Sequence, residues 1–197
     1  MAHKSKAKET ELYEIAVGQL GFFTAQQAVK AGFSVKNHSY HLKAGNWQRE
    51  GRGIYRLAHF PPSEHDGLMV LYLWSRNKEG EAQGVFSLHT ALDLWELSDV
   101  NPVKVHMTVP LGFRKRAEAT PGSIVLHKKD LKLTQVVDFH GMKITTPLQT
   151  LLDVVEDGNL SPEFVEQALN QARDRGLVLE KDLRKQTSLQ KYLARKK

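Results

Sequence analysis

The sequence predicts an α+β protein in two parts, and three observations predict it. Residues 1–59 read as three short helices and a glycine-tipped hairpin. The Phe60-Pro61-Pro62-Ser63 stretch then interrupts both helical and strand patterns, because proline fixes φ and removes an amide donor. Residues 60–197 alternate helical patterns with short alternating strands, as expected for a mixed α+β domain with a small sheet and C-terminal helices.

The elements follow in order. Leu12, Ile15, Ala16 and Leu20 recur at helical spacing and predict a first helix from about residue 8 to 19, ended near Gly18 or Gly21. Thr24 with Gln27 three residues on is a capping box, so a second helix runs from there to Ala31 and stops at Gly32. Ser34 is expected to cap a third helix over 35–44, with Gly45 in the left-handed stop position. Only Gly32, Phe33 and Ser34 separate helices two and three, which is the spacing of a helix-turn-helix. The run GNWQREGRGIYRL that follows is then its wing, with Arg49, Arg52 and Arg56 placed to reach phosphates or the minor groove.

On a regular helix the third segment places Ser39 and Leu42 within about 40° of Val35, as an inward stripe. Asn37, Tyr40, His41 and Ala44 fall opposite, with Lys36 and Lys43 toward the edge, and no acid occurs between Phe33 and Arg49. Asn can bond adenine bidentately, Tyr and His can reach base edges or phosphates, and Lys neutralises phosphate. His38 sits at the border and reads as a packing or phosphate contact.

In the second part, Leu68, Leu71 and Tyr72 predict a helix over 64 to about 78, and Ser87 is expected to cap a helix carrying Leu88, Ala91, Leu92 and Trp95. KVHMTV and SIVLHK read as strands, and TQVVDFHGMKITT as a hairpin around Gly141. Thr146-Pro147 and Ser161-Pro162 open two further helices, and a last one is expected near 179–193.

Charge is uneven along the chain. Residues 1–59 hold nine Lys or Arg against four Asp or Glu, residues 60–180 hold twelve against seventeen, and residues 181–197 hold seven against one. A basic small domain before an acidic larger one suits a polyanion bound at one end of the molecule. The chain has no cysteine, which excludes disulfides and thiolate metal sites. The first residues lack the apolar core of a signal peptide, and no stretch nears the roughly 18 apolar residues of a membrane span, so a cytoplasmic location is expected.

Nine histidines are scattered along the chain with only His38 and His41 close in sequence, so no metal or other cofactor is expected. There is no phosphate-binding loop, nucleophile elbow or paired nuclease carboxylates. His89, Asp93 and Glu96 fit an amphipathic helix better than an acid-base set, and Asp153 reads as structural. No enzyme activity is expected; the alternative is a defence-associated nuclease or other nucleic-acid enzyme with a winged-helix targeting domain.

The run GFFTAQQAVKAGFSVKNHSYHLKAGNWQREGRGIYRLA, with the wing motif Arg52, Gly53, Ile54, Tyr55, resembles the N-terminal winged helix of AbiEi-type antitoxins. The likeness continues in SLHTALDLWELSDVNPVKVHMTVP, GFRKR at 112–116, SIVLHKKDL and GMKITTPLQTLLDVV, and so spans about residues 10–157. The resemblance implies a bacterial type IV toxin-antitoxin system linked to abortive phage infection. Its N-terminal domain would repress its own operon, and its C-terminal domain would counter a nucleotidyltransferase-like toxin, directly or indirectly. The expected partners are thus an operator in double-stranded DNA, with inverted repeats, and the cognate toxin. The expected DNA contacts are Lys36, Asn37, Tyr40, His41, Lys43, Arg49, Arg52 and Arg56, joined by Thr24, Gln26 and Ser34 at the starts of helices two and three.

Overall fold

The computed structural model describes residues 2–115 and 120–193. Arg116 of the basic GFRKR stretch and residues 194–197 of the basic tail lie outside the described residues. The chain divides into two compact units, Met1–Gln83 with Phe139–Met142, and Gly84–Asp138 with Lys143–Lys197.

The first unit begins with α1 (Ala2–Val17), longer than its apolar pattern implied. Strand β1 (Phe22–Thr24) follows and leads directly into α2 (Ala25–Lys30). The capping box forms: Gln27 N donates to the Thr24 hydroxyl at 3.2 Å and Thr24 N to the Gln27 side chain at 2.7 Å. The third helix departs from expectation. It opens as a 3-10 turn, Val35–Asn37, and becomes α-helical only over α3 (His38–Lys43). Ser34 occupies the N-cap position but its hydroxyl makes no capping bond. The tighter turn shifts the phase of every side chain before His38. Val35, expected inside, is 67% exposed, and Ser39 is also exposed, while His38 is buried in their place. Gly45 takes the left-handed stop as expected, at φ +73°.

The wing consists of β2 (Trp47–Gly51) and β3 (Ile54–Leu57), and β1 adds to it to give a three-stranded sheet in the order β1-β3-β2. Both pairings are antiparallel, with Phe23 opposite Tyr55 and Trp47 opposite Leu57. The register shifts between Arg49 and Gly51, so Glu50 is the extra residue of a bulge. Leu12, Ala16, Phe23, Ala28, Ala31 and Trp47 form the core between α1, α2 and the sheet. The unit does not end at residue 59: α4 (Asp66–Trp74) packs on all three strands, and Asp66 pairs with Arg56 at 3.1 Å. The expected boundary after residue 59 is thereby corrected, since the prolines end a strand without ending the folded unit.

The second unit contains β4 (Val85–Phe86), α5 (Leu88–Leu94), β5 (Val105–Val109), β6 (Ile124–Lys128) and all but the terminal Phe139 and Met142 of β7 (Val136–Phe139) and β8 (Met142–Thr145). The strands form one sheet in the order β6-β5-β4-β8-β7. The β4–β5 pair is antiparallel, while β5–β6 and β4–β8 are parallel. Ser87 stands at the N-cap of α5 but does not cap it; its oxygen instead accepts a bond from Thr108 at 2.8 Å. Helices α6 (Pro147–Asp157) and α7 (Pro162–Asp174) start at the expected Thr-Pro and Ser-Pro pairs, and Thr146 caps α6 through Gln149 N. The expected last helix divides into α8 (Glu180–Arg184) and α9 (Thr187–Leu193). Leu88, Leu92, Leu97, Leu151, Val154, Ala168, Leu169 and Leu183 form the core among these helices.

Candidate nucleic-acid interface

The helix-turn-helix and wing are held by aromatic packing. The Trp47 indole is 4% exposed and lies edge-on to Phe23, with ring centroids 4.9 Å apart. His41 stacks on it at 4.5 Å with the planes 17° apart, and His38 meets it at 5.3 Å. Such contacts orient α3 against β2 through two rings that give up their polar contacts to solvent. Burial pushes the His38 imidazole below its ordinary value, with His41 adding to the effect, and burial also lowers His41 against a partial opposing pull from Glu9. His41, expected on the groove-reading face, is half-buried with one ring face on Trp47, and its Nδ1 lies 3.4 Å from the Asn46 amide.

Two further expected contacts face inward. Thr24 is 1% exposed and its hydroxyl is spent on the α2 cap. The Arg56 side chain is 13% exposed, bonds Pro61 O at 2.8 Å, pairs with Asp66 and lies over the Phe22 ring at 5.3 Å. It staples β3 to the chain after the wing and cannot reach a phosphate without releasing Asp66. Gln26 is exposed, with its Nε2 engaged by Lys78 O at 2.9 Å.

The remaining set is exposed: Ser34, Lys36, Asn37, Tyr40 and Lys43 around the third helix, and Arg49 and Arg52 on the wing. Tyr40 is 66% exposed. Among the described residues, Lys36, Lys43, Arg49 and Arg52 have no ion-pair partner. Ser39, assigned inward by the regular-helix reading, joins this exposed set; recognising the 3-10 opening is what would have placed it. A glycine, Gly53, forms the wing tip at φ +68°, a conformation a side chain would strain.

The second unit brings together histidines that the sequence scatters. His106 Nδ1 and His127 Nε2, 21 residues apart, lie 3.1 Å apart, and the His89 ring is 4.7 Å from that of His106. Burial pushes His106 down to about 4, with His89 and His127 adding to it and Asp157 opposing. Burial also lowers His89 and His127, each partly offset by Asp157. Burial thus disfavours the charged form of all three rings, and one hydrogen bond joins two of them, His106 and His127. Among the described residues no group of three or more His, Asp or Glu is arranged to hold a metal ion.

Beside them, Lys129 Nζ bonds Asp153 at 2.9 Å and Glu156 at 2.8 Å, and Gln149 donates to the same Asp153 oxygen at 2.8 Å. Burial alone would lower the Lys129 ammonium, but its bonds to Glu156 and Asp153 raise it. His127, Lys129, Asp153, Glu156 and Asp157 line an open cavity of about 400 Å³. Glu96 lies beyond the end of α5 at Leu94, at φ +52°, and faces Arg175 at 3.8 Å.

No curated protein matches the chain. Among solved structures, the chain is similar to the RV2827C protein from Mycobacterium tuberculosis, with 13% sequence identity, 81% of this chain and 69% of that chain covered, and a TM-score of 0.47. A family model described as "Transcriptional regulator, AbiEi antitoxin" matches residues 11–58. That segment runs from the buried face of α1 through the second helix of the turn to the end of β3. Over residues 11–58, then, the chain matches the AbiEi antitoxin transcriptional regulator family, in line with the resemblance read from the sequence.

Proposed function

We propose that this chain is a DNA-binding transcriptional autorepressor and the antitoxin of a type IV toxin-antitoxin system acting in the bacterial cytoplasm. The DNA-binding role belongs to the winged region, within residues 1–59, and the antitoxin role to the second unit. The observation that carries the first role is the exposed set Lys36, Lys43, Arg49 and Arg52, without ion-pair partners among the described residues, beside Asn37 and Tyr40. Cations without carboxylate partners retain their full charge for phosphate, and Asn37 and Tyr40 are the groups free to read base edges. The operator would carry inverted repeats, so that two copies bind side by side. The antitoxin role, toward a nucleotidyltransferase-like toxin in abortive phage infection, rests on the family of residues 11–58.

The test is binding of the full chain to the DNA upstream of its own gene, against a scrambled duplex, over a range of salt. Neutralising four phosphates gives a log–log salt slope of about −3.6. A slope near zero, or equal affinity for both duplexes, would overturn the reading. A full chain carrying Lys36→Ala and Arg52→Ala should lose repression and still relieve growth arrest by the toxin encoded beside it. Loss of relief together with repression would place both roles on the winged region.

A further inference from the structure

We propose that Arg76, which lies outside the DNA-contacting set, is the positioning residue that fixes the wing tip and so presents Arg52; this rests on the DNA-binding reading above. Arg76 sits just past the end of α4, and its guanidinium joins two elements. Nη1 donates to Leu73 O at 2.7 Å, on the last turn of α4, and Nη2 donates to Arg52 O at 3.0 Å and Gly53 O at 3.4 Å. Gly53 O also accepts from Ala25 N, the first amide of α2, at 3.0 Å. The wing tip is thus bonded from α2 on one side and through Arg76 to α4 on the other.

The chemistry suits arginine. A planar fork sends charged donors in two directions at once, and a lysine ammonium at the end of a flexible stem does not hold that geometry. A cation is also favoured at the C-terminal, electronegative end of α4. Gly53 makes the approach possible, because a Cβ there would stand 3.0 Å from Nη2. The bonds go to backbone oxygens of the tip, so the exposed Arg52 side chain stays available while the backbone beneath it is held. The same segment seats on α2 as well: Lys78 O accepts from Gln26, and Gly80 lies where a Cβ would come within 2.5 Å of the Gln26 Oε1 atom. Residues 76–80 therefore brace both the wing and the helix that begins the helix-turn-helix.

The experiment compares the full chain with Arg76→Ala, Arg76→Lys, Arg52→Ala and the Arg52→Ala/Arg76→Ala pair. Two readouts are used: affinity for the upstream DNA and a scrambled duplex, and amide hydrogen exchange at Ala25. Arg76→Ala should weaken binding to both duplexes by about tenfold, and Arg76→Lys should recover only part of it. The double variant should bind within about twofold of Arg52→Ala alone, because the positioning residue has nothing left to position. The Ala25 amide should exchange faster in Arg76→Ala. Losses that multiply in the double variant, or unchanged exchange at Ala25, would overturn the proposal. If Arg76→Ala fails to fold, Arg76→Lys paired with Arg52→Ala decides the same question. If the wild-type chain binds no DNA, the DNA-binding reading fails, and exchange at Ala25 still decides whether Arg76 holds the wing.

Discussion

The two units treat their polar side chains in opposite ways. In the winged unit, Lys36, Lys43, Arg49 and Arg52 stand exposed without ion-pair partners among the described residues, while His38 and His41 pack on Trp47. In the second unit several half-buried polar groups bond one another: Lys129 with Asp153 and Glu156, Gln149 with Asp153, and His106 with His127. A side chain left unpaired on a surface is free for a partner, whereas side chains bonded to one another hold the fold. That difference is why a ligand class can be argued for the first unit and why the polar groups of the second speak first of stability.

The contrast can be broken most strongly at its aromatic end. Trp47→Ala removes the ring on which Phe23, His38 and His41 pack and should cost about 3 to 5 kcal/mol of winged-unit stability, measured by denaturant unfolding. Loss of DNA binding should accompany it; a stable, DNA-binding variant would mean that α3 is held by something other than this stack. Next, Asp153→Ala leaves the Lys129 ammonium and the Gln149 amide without their shared partner. The expected loss is about 2 to 3 kcal/mol, below the range for a fully buried pair because Lys129 is 41% exposed. DNA binding should not change, so a drop in operator affinity at full folding would show that the two units are not independent.

On the exposed face, Asn37→Ala should relax discrimination at one operator base pair by about 1 to 3 kcal/mol, while Arg52→Ala should weaken operator and random DNA alike. Titrations of both variants on both duplexes separate these roles, and equal losses throughout would dissolve the distinction. The smallest effect expected is that of acid on the second unit. His106 is lowered from 6.5 to about 4 in the fold, so the folded state binds fewer protons than the unfolded one. Stability is then complete above the unfolded value and declines as pH falls from 6.5 through 4. Since the ring is only half buried, the loss is discounted to the order of 1 kcal/mol. Denaturant unfolding at pH 7 and pH 5, followed by amide exchange in β5 and β6, measures it, and a His106→Asn variant should reduce the difference.

Features set by neighbours in sequence were legible before the fold was known. The Thr24 capping box, the Gly45 stop, the Gly53 wing tip and the Thr146-Pro147 start of α6 all form as read, because each depends on a few adjacent residues. The exposed members of the candidate interface, from Lys36 to Arg52, were legible for the same reason. Three expected contacts are drawn wholly or partly inward in the structure. Arg56 turns inward because Asp66, ten residues away and beyond two prolines, supplies its partner. Thr24 is buried where β1 pairs with β3, a strand of three residues whose partner lies across the whole helix-turn-helix. His41 is drawn onto Trp47, and the 3-10 opening before it rotates Val35 outward and leaves Ser39 exposed.

The sequence by itself determined the helix-turn-helix spacing, the glycine-tipped wing, the cluster of cations without acids, and the family of the segment from 11 to 58. Only the tertiary structure decided which of those cations stay free, that Arg76 reaches back to the wing, and that His89, His106 and His127 meet. The physical reason is common to all three. Capping, turn and helix preferences act over a few residues of backbone, whereas pairing and burial depend on which distant strands and helices come into contact, as when the parallel β5–β6 ladder sets Thr108 opposite His127.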